Sequence, residues 1–234
     1  MSPLRKQCLI ALLAGALAAC APAVPPRTSA EGTRTPADFP ETDYRQAASQ
    51  GKKVLRVDSA RSIVVIEVRR AGPLARFGHD HVVASHDLGG AVSMTDGVAD
   101  LYVPLGPLAV DEPQLRAAAG FDSRPSAEDI EATRRNMLRK TLDAQRYPYA
   151  RIHVVRTTAG SPAANVTIGL HGVARSYEVP VRIDTVRGGI SVGGKMSLKQ
   201  TDFGIVPLSV LGGALQVQDE LEVRFQIVAQ DRGF

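Results

Sequence analysis

The chain has 234 residues, a formal charge of +4, 44% hydrophobic and 22% charged residues, and two cysteines. That apolar content supports a folded core and excludes wholesale disorder, while no apolar run reaches the ~18 residues of a membrane-crossing helix. Tryptophan is absent and aromatic rings make up only 5% of the residues, so any interior is mostly aliphatic.

The N-terminus reads as an address. Arg5 and Lys6 precede an uncharged run from Cys8 onward that ends Leu17-Ala18-Ala19-Cys20. A basic start, a short apolar segment and small residues before the cut describe a secretory signal peptide over 1–19. Leu-Ala-Ala-Cys resembles the bacterial lipobox, whose cysteine takes a diacylglyceryl thioether and becomes the acylated N-terminus. The resemblance implies lipidation of Cys20 and membrane attachment through acyl chains. Cleavage would remove Arg5, Lys6 and Cys8, halving the formal charge and leaving no cysteine pair to form a disulfide. Ala21, in place of an aspartate after the cysteine, points to the outer membrane with the protein facing the periplasm. The stretch 20–51 holds Pro22, Pro25, Pro26, Pro36 and Pro40 without a hydrophobic period, and is predicted to be an extended tether.

From Lys53 the hydrophobic period switches to two. Val64, Ile66 and Val68 share one face while Glu67 and Arg69 take the other, the pattern of a half-buried strand. Similar runs cover 99–105, 150–158, 164–170, 175–183 and 189–198. The cleanest is the last, with Leu221, Val223, Phe225 and Ile227 opposite Glu222, Arg224 and Gln226. Gly89-Gly90, Asp96-Gly97, Gly188-Gly189 and Gly212-Gly213 are predicted turns.

One segment breaks the alternation. Ser126, followed three residues later by Asp129, fits a capping box. Basic Arg134, Arg135, Arg139 and Lys140 close the helix, matching its dipole. Only Ile130, Met137 and Leu138 form an apolar stripe, which predicts a helix lying on a surface. Short strands with one amphipathic helix predict a mainly β antiparallel barrel of about eight strands over 52–230, with 231–234 a short tail. Such a barrel holds either packed side chains or one small ligand. Val, Ile and Leu on the inward faces suit a flexible, linear apolar chain, a dry packed core being the alternative.

Three blocks resemble the YceI-like lipid- or polyisoprenoid-binding family: Val57-Asp58-Ser59-Ala60-Arg61-Ser62, Leu170-His171-Gly172-Val173-Ala174-Arg175, and Gln200-Thr201-Asp202-Phe203-Gly204-Ile205 followed by Asp219-Glu220. Leu142-Asp143-Ala144 leading to Tyr147-Pro148 also fits, so the likeness runs in order over roughly 54–230. It implies a secreted, lipocalin-like barrel that carries a long isoprenoid or fatty chain and performs no catalysis. The sequence departs from the family at Arg61, where a histidine is usual, and at Met137-Leu138-Arg139, where the family has histidine-leucine-arginine. The expected tunnel lining is Val64, Ile66, Val68, Leu101, Val103, Ile168, Leu170, Phe203, Val223 and Phe225, with Phe203 a candidate plug, although a structural role for its Thr201-Asp202-Phe203-Gly204 turn is the favoured reading.

Three of the five histidines, His79, His81 and His86, fall within eight residues. On a strand, His79 and His81 share a face. With His86 and His171 they are read as the tunnel mouth, meeting a ligand head group. The rival reading is a metal site or metal-dependent enzyme on His79, His81 and His86, with Asp80 or Asp87 orienting a ring. His153, between Ile152 and Val154, is expected to point outward. Ser85-His86-Asp87 is contiguous and has no triad geometry. No phosphate loop or aromatic-interleaved basic patch occurs, so no nucleic-acid partner is expected. No cofactor is expected beyond a bound isoprenoid or lipid, and association into a homodimer stays open.

Overall fold

The computed structural model describes residues 35–156 and 161–233. The signal peptide, Cys20 and the first part of the tether lie outside the described residues.

The first described element is α1 (Glu41–Ser49), in the stretch expected to be extended tether. This corrects that expectation for residues 35–51. Tyr44, Ala47 and Ala48 lie at helical spacing, and they pack with Phe39 against Val54 and Ala91 of the barrel. The Tyr44 hydroxyl donates to Asp100 at 2.8 Å, and Arg56 pairs with Glu41 at 2.5 Å.

The strands follow in chain order: β1 (Val54–Val57), β2 (Ile63–Val68), β3 (Arg70–Ala71), β4 (His81–Ser85), β5 (Gly89–Ser93), β6 (Val98–Pro104) and β7 (Ala109–Val110). After α2 (Pro113–Ala118) and α3 (Ala127–Asn136) come β8 (Tyr149–Val155), β9 (Ala163–Leu170), β10 (Val173–Val186), β11 (Gly189–Lys199), β12 (Ser209–Val210), β13 (Leu215–Val217) and β14 (Glu220–Gln230). Every neighbouring pair is antiparallel. The order β1-β5-β6-β8-β9-β10-β11-β14 closes through β1–β14 into an eight-strand ring, as the period-two runs anticipated.

The ring is bent on one side. β14 pairs with β1 near its end and with β2 near its start, so β1 and β2 form one broken stave. β4 and β5 form the next, pairing with β2 and β1 respectively. The break falls on the block 57–62. Ser62 Oγ donates to the Asp58 carbonyl at 2.7 Å and accepts the Val228 amide at 3.0 Å. Arg232 reaches the buried Asp58 carboxylate at 2.5 Å, tying the C-terminal tail to the seam.

Gly89-Gly90 is not a turn but lies inside β5. A Cβ at Gly89 would run into the ring of Tyr102, and one at Gly90 into the Asp100 carbonyl. Glycine serves close approach here, not chain reversal. Asp96-Gly97 and Gly188-Gly189 do fall at hairpin ends, and Gly212-Gly213 at the bend between β12 and β13.

α3 carries the expected capping box, with Ser126 Oγ accepting from the Asp129 amide at 3.1 Å and Asp129 accepting from the Ser126 amide at 3.1 Å. Ile130 and Met137 pack on the core cluster of Val83, Leu101, Val103, Leu105 and Leu108. Arg134 clamps the helix to the β6–β7 connection, donating to the carbonyls of Leu108 at 3.1 Å and Gly106 at 2.5 Å.

Candidate functional site: an apolar cavity with a histidine end

The ring encloses a cavity of about 640 Å³, within the size range of small-molecule sites. Its wall is built by the alternation that defines the strands. Val64, Ile66 and Val68 of β2 and Leu221, Val223, Phe225 and Ile227 of β14 all face it, as do Ile190, Val192, Met196 and Leu198 of β11. From Ile190 to Leu198 the lined strand spans roughly 26 Å at ~3.3 Å per residue. The interior is therefore long and aliphatic, with Phe225 and Phe77 the only phenylalanines in its lining among the described residues.

Of the ten residues expected to line the tunnel, nine face the cavity: Val64, Ile66, Val68, Leu101, Val103, Ile168, Leu170, Val223 and Phe225. Phe203 does not. It is fully buried beside the cavity wall, in the short turn Gln200–Phe203 that ends on left-handed Gly204. Gln200 and Ile205 on either side of it meet the cavity instead. The turn is held by Asp219, which accepts from the Thr201 amide at 2.9 Å and its hydroxyl at 2.6 Å. Phe203 thus packs the fold and is no plug.

The cavity reaches the surface at both ends. Ile183, beside the β10–β11 hairpin, lines it and is exposed at one end. At the other, Phe77 (65% exposed) and Val210 (44%) line it, with exposed Val206 and Leu211 close by in sequence to Val210. This second end is also where α3 lies. Asp129, Thr133 and Asn136 of the helix face the cavity, spaced i, i+4 and i+7 on one helical face, and Met137, opening the π-helical turn Met137–Thr141 that follows, joins them.

The four expected head-group histidines separate. His79 and His81 line the α3 end, their ring centroids 6.3 Å apart. His86 lies outside the lining and meets Glu112 at 2.7 Å. His171, at the β9–β10 turn with φ 53°, packs its ring tilted by 55° against Tyr147, centroids 4.9 Å apart, and also lies outside the lining. Among the described residues no group of three or more His, Cys, Asp or Glu side chains is placed to hold a metal ion. The metal set His79, His81 and His86 therefore does not assemble. His153 points outward as expected and meets Asp100 at 2.7 Å.

The residues that order this end were not singled out from sequence. Asp111 sits just beyond β7 with φ 58°, in the left-handed region that non-glycine residues rarely adopt. Its buried carboxylate takes His81 Nδ1 at 2.6 Å, the Val82 amide at 3.0 Å and Arg116 Nη1 at 2.5 Å. Arg116, itself buried, also donates to the carbonyls of Asp80 and Ser123, each at 2.5 Å. Asp80 in turn accepts the Arg70 amide at 2.9 Å. Burial works against ionisation of Asp111, yet the hydrogen bonds from His81, Val82 and Arg116 outweigh it and hold the carboxyl below its ordinary range. The pairing of β4 with β7 is what brings His81 and Asp111 together across thirty residues of chain.

A closed antiparallel barrel around a long apolar cavity, with His79 and His81 at one end and Ser93 and Arg156 at the other, defines a binding-barrel class of protein. Within that class, the YceI-like domain family model matches residues 56–229, and the chain belongs to that family. Solved structures agree in fold. A polyisoprenoid binding domain from Saccharophagus degradans, implicated in plant cell wall breakdown, superposes with a TM-score of 0.55 at 15% identity, covering 75% of this chain and 97% of that one. BcnA of Burkholderia cenocepacia gives 0.53 at 18% identity, covering 74% and 99%. No curated protein sequence matches the chain.

Proposed function

We propose that this protein binds and carries a long apolar amphiphile, an isoprenoid or fatty chain, without transforming it, and that it does so in the cell envelope, anchored through Cys20 to a membrane and facing the periplasm. The observation that carries the reading is the cavity of about 640 Å³ walled by Val, Ile and Leu along its length. Removing a methylene from water is worth ~0.8 kcal/mol. A chain of many methylenes thus supplies tight binding even after the cost of ordering it. The polyisoprenoid-binding description of the Saccharophagus degradans domain supports the same ligand class, and the lipobox-like Leu17-Ala18-Ala19-Cys20 supports the anchor.

The test is native mass spectrometry of protein purified from membranes, followed by solvent extraction. A co-purifying apolar molecule that is lost when the lining is blocked by Val223→Trp supports the reading. Protein that carries nothing and takes up no added prenyl chain overturns it. For the anchor, Cys20→Ser should move the protein from the membrane to the soluble fraction, and unchanged membrane association removes that part of the proposal.

A further inference from the structure

Among the described residues five large hydrophobic side chains are exposed, and four of them, Phe77, Val206, Val210 and Leu211, belong to two loops at the α3 end. The two loops are one unit. β3 pairs with β13, Ala71 opposite Gln216, and the Leu74 amide donates to the Ala214 carbonyl at 2.8 Å. Gly78 lies so close to Leu215 that a Cβ there would be 2.7 Å from its Cδ1. The result is an apolar ledge beside the cavity mouth. Its inner side, with Leu208, Val210 and Leu215, lines the cavity, while Val206 (81% exposed) and Leu211 (73%) stand outside the lining. Leu211 does so at φ 52°, a left-handed conformation that disfavours leucine. A lone exposed leucine needs no explanation, but four apolar side chains gathered on one ledge mark an interaction surface.

Charge and chain direction name what covers it. Residues 203–218 contain no charged side chain, and residues 71–78 contain only Arg76. The Arg76 guanidinium lies 4.6 Å from the centre of the Phe77 ring, so the ring can enter an apolar phase while the cation stays at its polar boundary. The apolar surface also runs unbroken from the ledge into the cavity, which a lipid interior extends and a seated protein would close. The N-terminal side of the barrel points the same way. The Thr35 hydroxyl lies 3.2 Å from that of Tyr102, and Asp38 pairs with Arg151 at 2.7 Å. Tyr102 and Arg151 oppose each other two rungs from Pro104 and Tyr149, at the end where Arg134 clamps α3. The described chain thus begins at the ledge end. Only fourteen residues separate Thr35 from Cys20, a reach of at most ~50 Å.

We infer that this ledge dips into the surface of a phospholipid bilayer, with Phe77, Val206 and Leu211 below the head groups and Arg76 on a phosphate, so that the α3 mouth of the cavity opens into the membrane. The inference rests on the envelope reading above and adds which face of the barrel meets the bilayer.

The chain contains no tryptophan, so one introduced tryptophan reports its own surroundings. Full-length protein purified from membranes, carrying Phe77→Trp, Val206→Trp or, at the exposed hairpin of the opposite end, Arg187→Trp, is reconstituted in vesicles of phosphatidylethanolamine and phosphatidylglycerol. Bromine on the lipid acyl chains is expected to quench Phe77→Trp and Val206→Trp and to leave Arg187→Trp bright. Unquenched Val206→Trp in protein that floats with the vesicles overturns the ledge and leaves the anchor standing, and equal quenching at both ends overturns it as well. Unquenched Val206→Trp with disulfide-linked pairs formed by Val206→Cys gives the ledge to a second copy instead. Protein that does not float overturns both the ledge and the anchor. A second readout follows loading. Val206→Asp combined with Leu211→Asp, both outside the cavity lining, should slow delivery of a fluorescent polyene fatty acid from vesicles to the barrel by about tenfold, the scale of one apolar side chain kept in water. An unchanged rate overturns the ledge's part in loading. No uptake by the wild type overturns the apolar-chain reading alone, since quenching still decides the ledge.

Discussion

Gly194 faces Phe225 across the β11–β14 ladder, and the phenyl ring occupies the space that a side chain at 194 would fill. A Cβ there would lie 2.6 Å from Phe225 Cζ and 2.8 Å from the Pro180 carbonyl. The missing side chain is therefore what lets a ring sit flat in a wall otherwise made of aliphatic residues. Gly194→Ala should destabilise the barrel by about 1–3 kcal/mol, the usual cost of overpacking, and should narrow the cavity by displacing the ring. Phe225→Leu should recover the part of that cost due to the ring. Urea unfolding of both single variants and the double variant measures the coupling, and additivity within ~0.5 kcal/mol would show that the ring is not the obstacle.

α1 is a working part of the barrel's outer surface. Burial, followed by the bond to Asp100, pushes the Tyr44 phenol well above its ordinary range, so the hydroxyl stays a donor. Tyr44→Phe removes that bond, while His153 still meets Asp100 at 2.7 Å, so the expected loss is about 1 kcal/mol. Tyr44→Ala also removes the ring packed on Val54 and Ala91, with an expected loss of about 3–5 kcal/mol. Thermal unfolding of the two variants checks the order. Equal, negligible shifts would mean that α1 does not dock on the barrel.

The strands were legible because a period of two is imposed by the pleat itself. Val64, Ile66 and Val68 could face one way only, and they face the cavity. The capping box at Ser126 and Asp129 is a local motif and survives folding unchanged. What failed did so for identifiable reasons. The prolines before residue 41 concealed a short helix whose apolar face is Tyr44 and two alanines, too small a stripe to register. The glycine pair at 89–90 carries the composition of a turn, but its cause is the Tyr102 ring on the neighbouring strand. Closeness in sequence also grouped His79, His81 and His86, although the last is turned toward Glu112. Asp111 and Arg116 were invisible because only the β4–β7 pairing makes them neighbours of His81.

Arg116 and Asp111 form an ion pair whose two side chains are 9% and 0% exposed. Removing one partner of such a pair leaves the other charged in a dry site. Arg116→Ala is therefore expected to cost about 3–5 kcal/mol, far above the range of a surface ion pair. Arg116→Lys keeps the charge but loses the fork that reaches Asp111, Asp80 and Ser123 together, so it should fall between the two. Chemical denaturation resolves these differences. A cost for Arg116→Ala below about 1 kcal/mol would mean that the site relaxes and admits water.

The same carboxylate predicts an acid limb. In the folded protein Asp111 is held below its ordinary range, because the bonds from His81, Val82 and Arg116 outweigh the opposing effect of burial. In the unfolded chain the group returns to ~3.9. A depressed native value means that the unfolded state binds the proton more readily. The stabilisation is thus complete above about pH 4–5 and is lost as pH falls through the lower native value. Asp111→Asn has no carboxyl to titrate. Asp111 itself therefore makes the stability difference between wild type and Asp111→Asn shrink steadily as pH falls below about 4. Unfolding free energies across that range provide the measurement, and a difference that stays level down to about pH 2 would show that Asp111 does not carry the ionised, hydrogen-bonded state that orients His81.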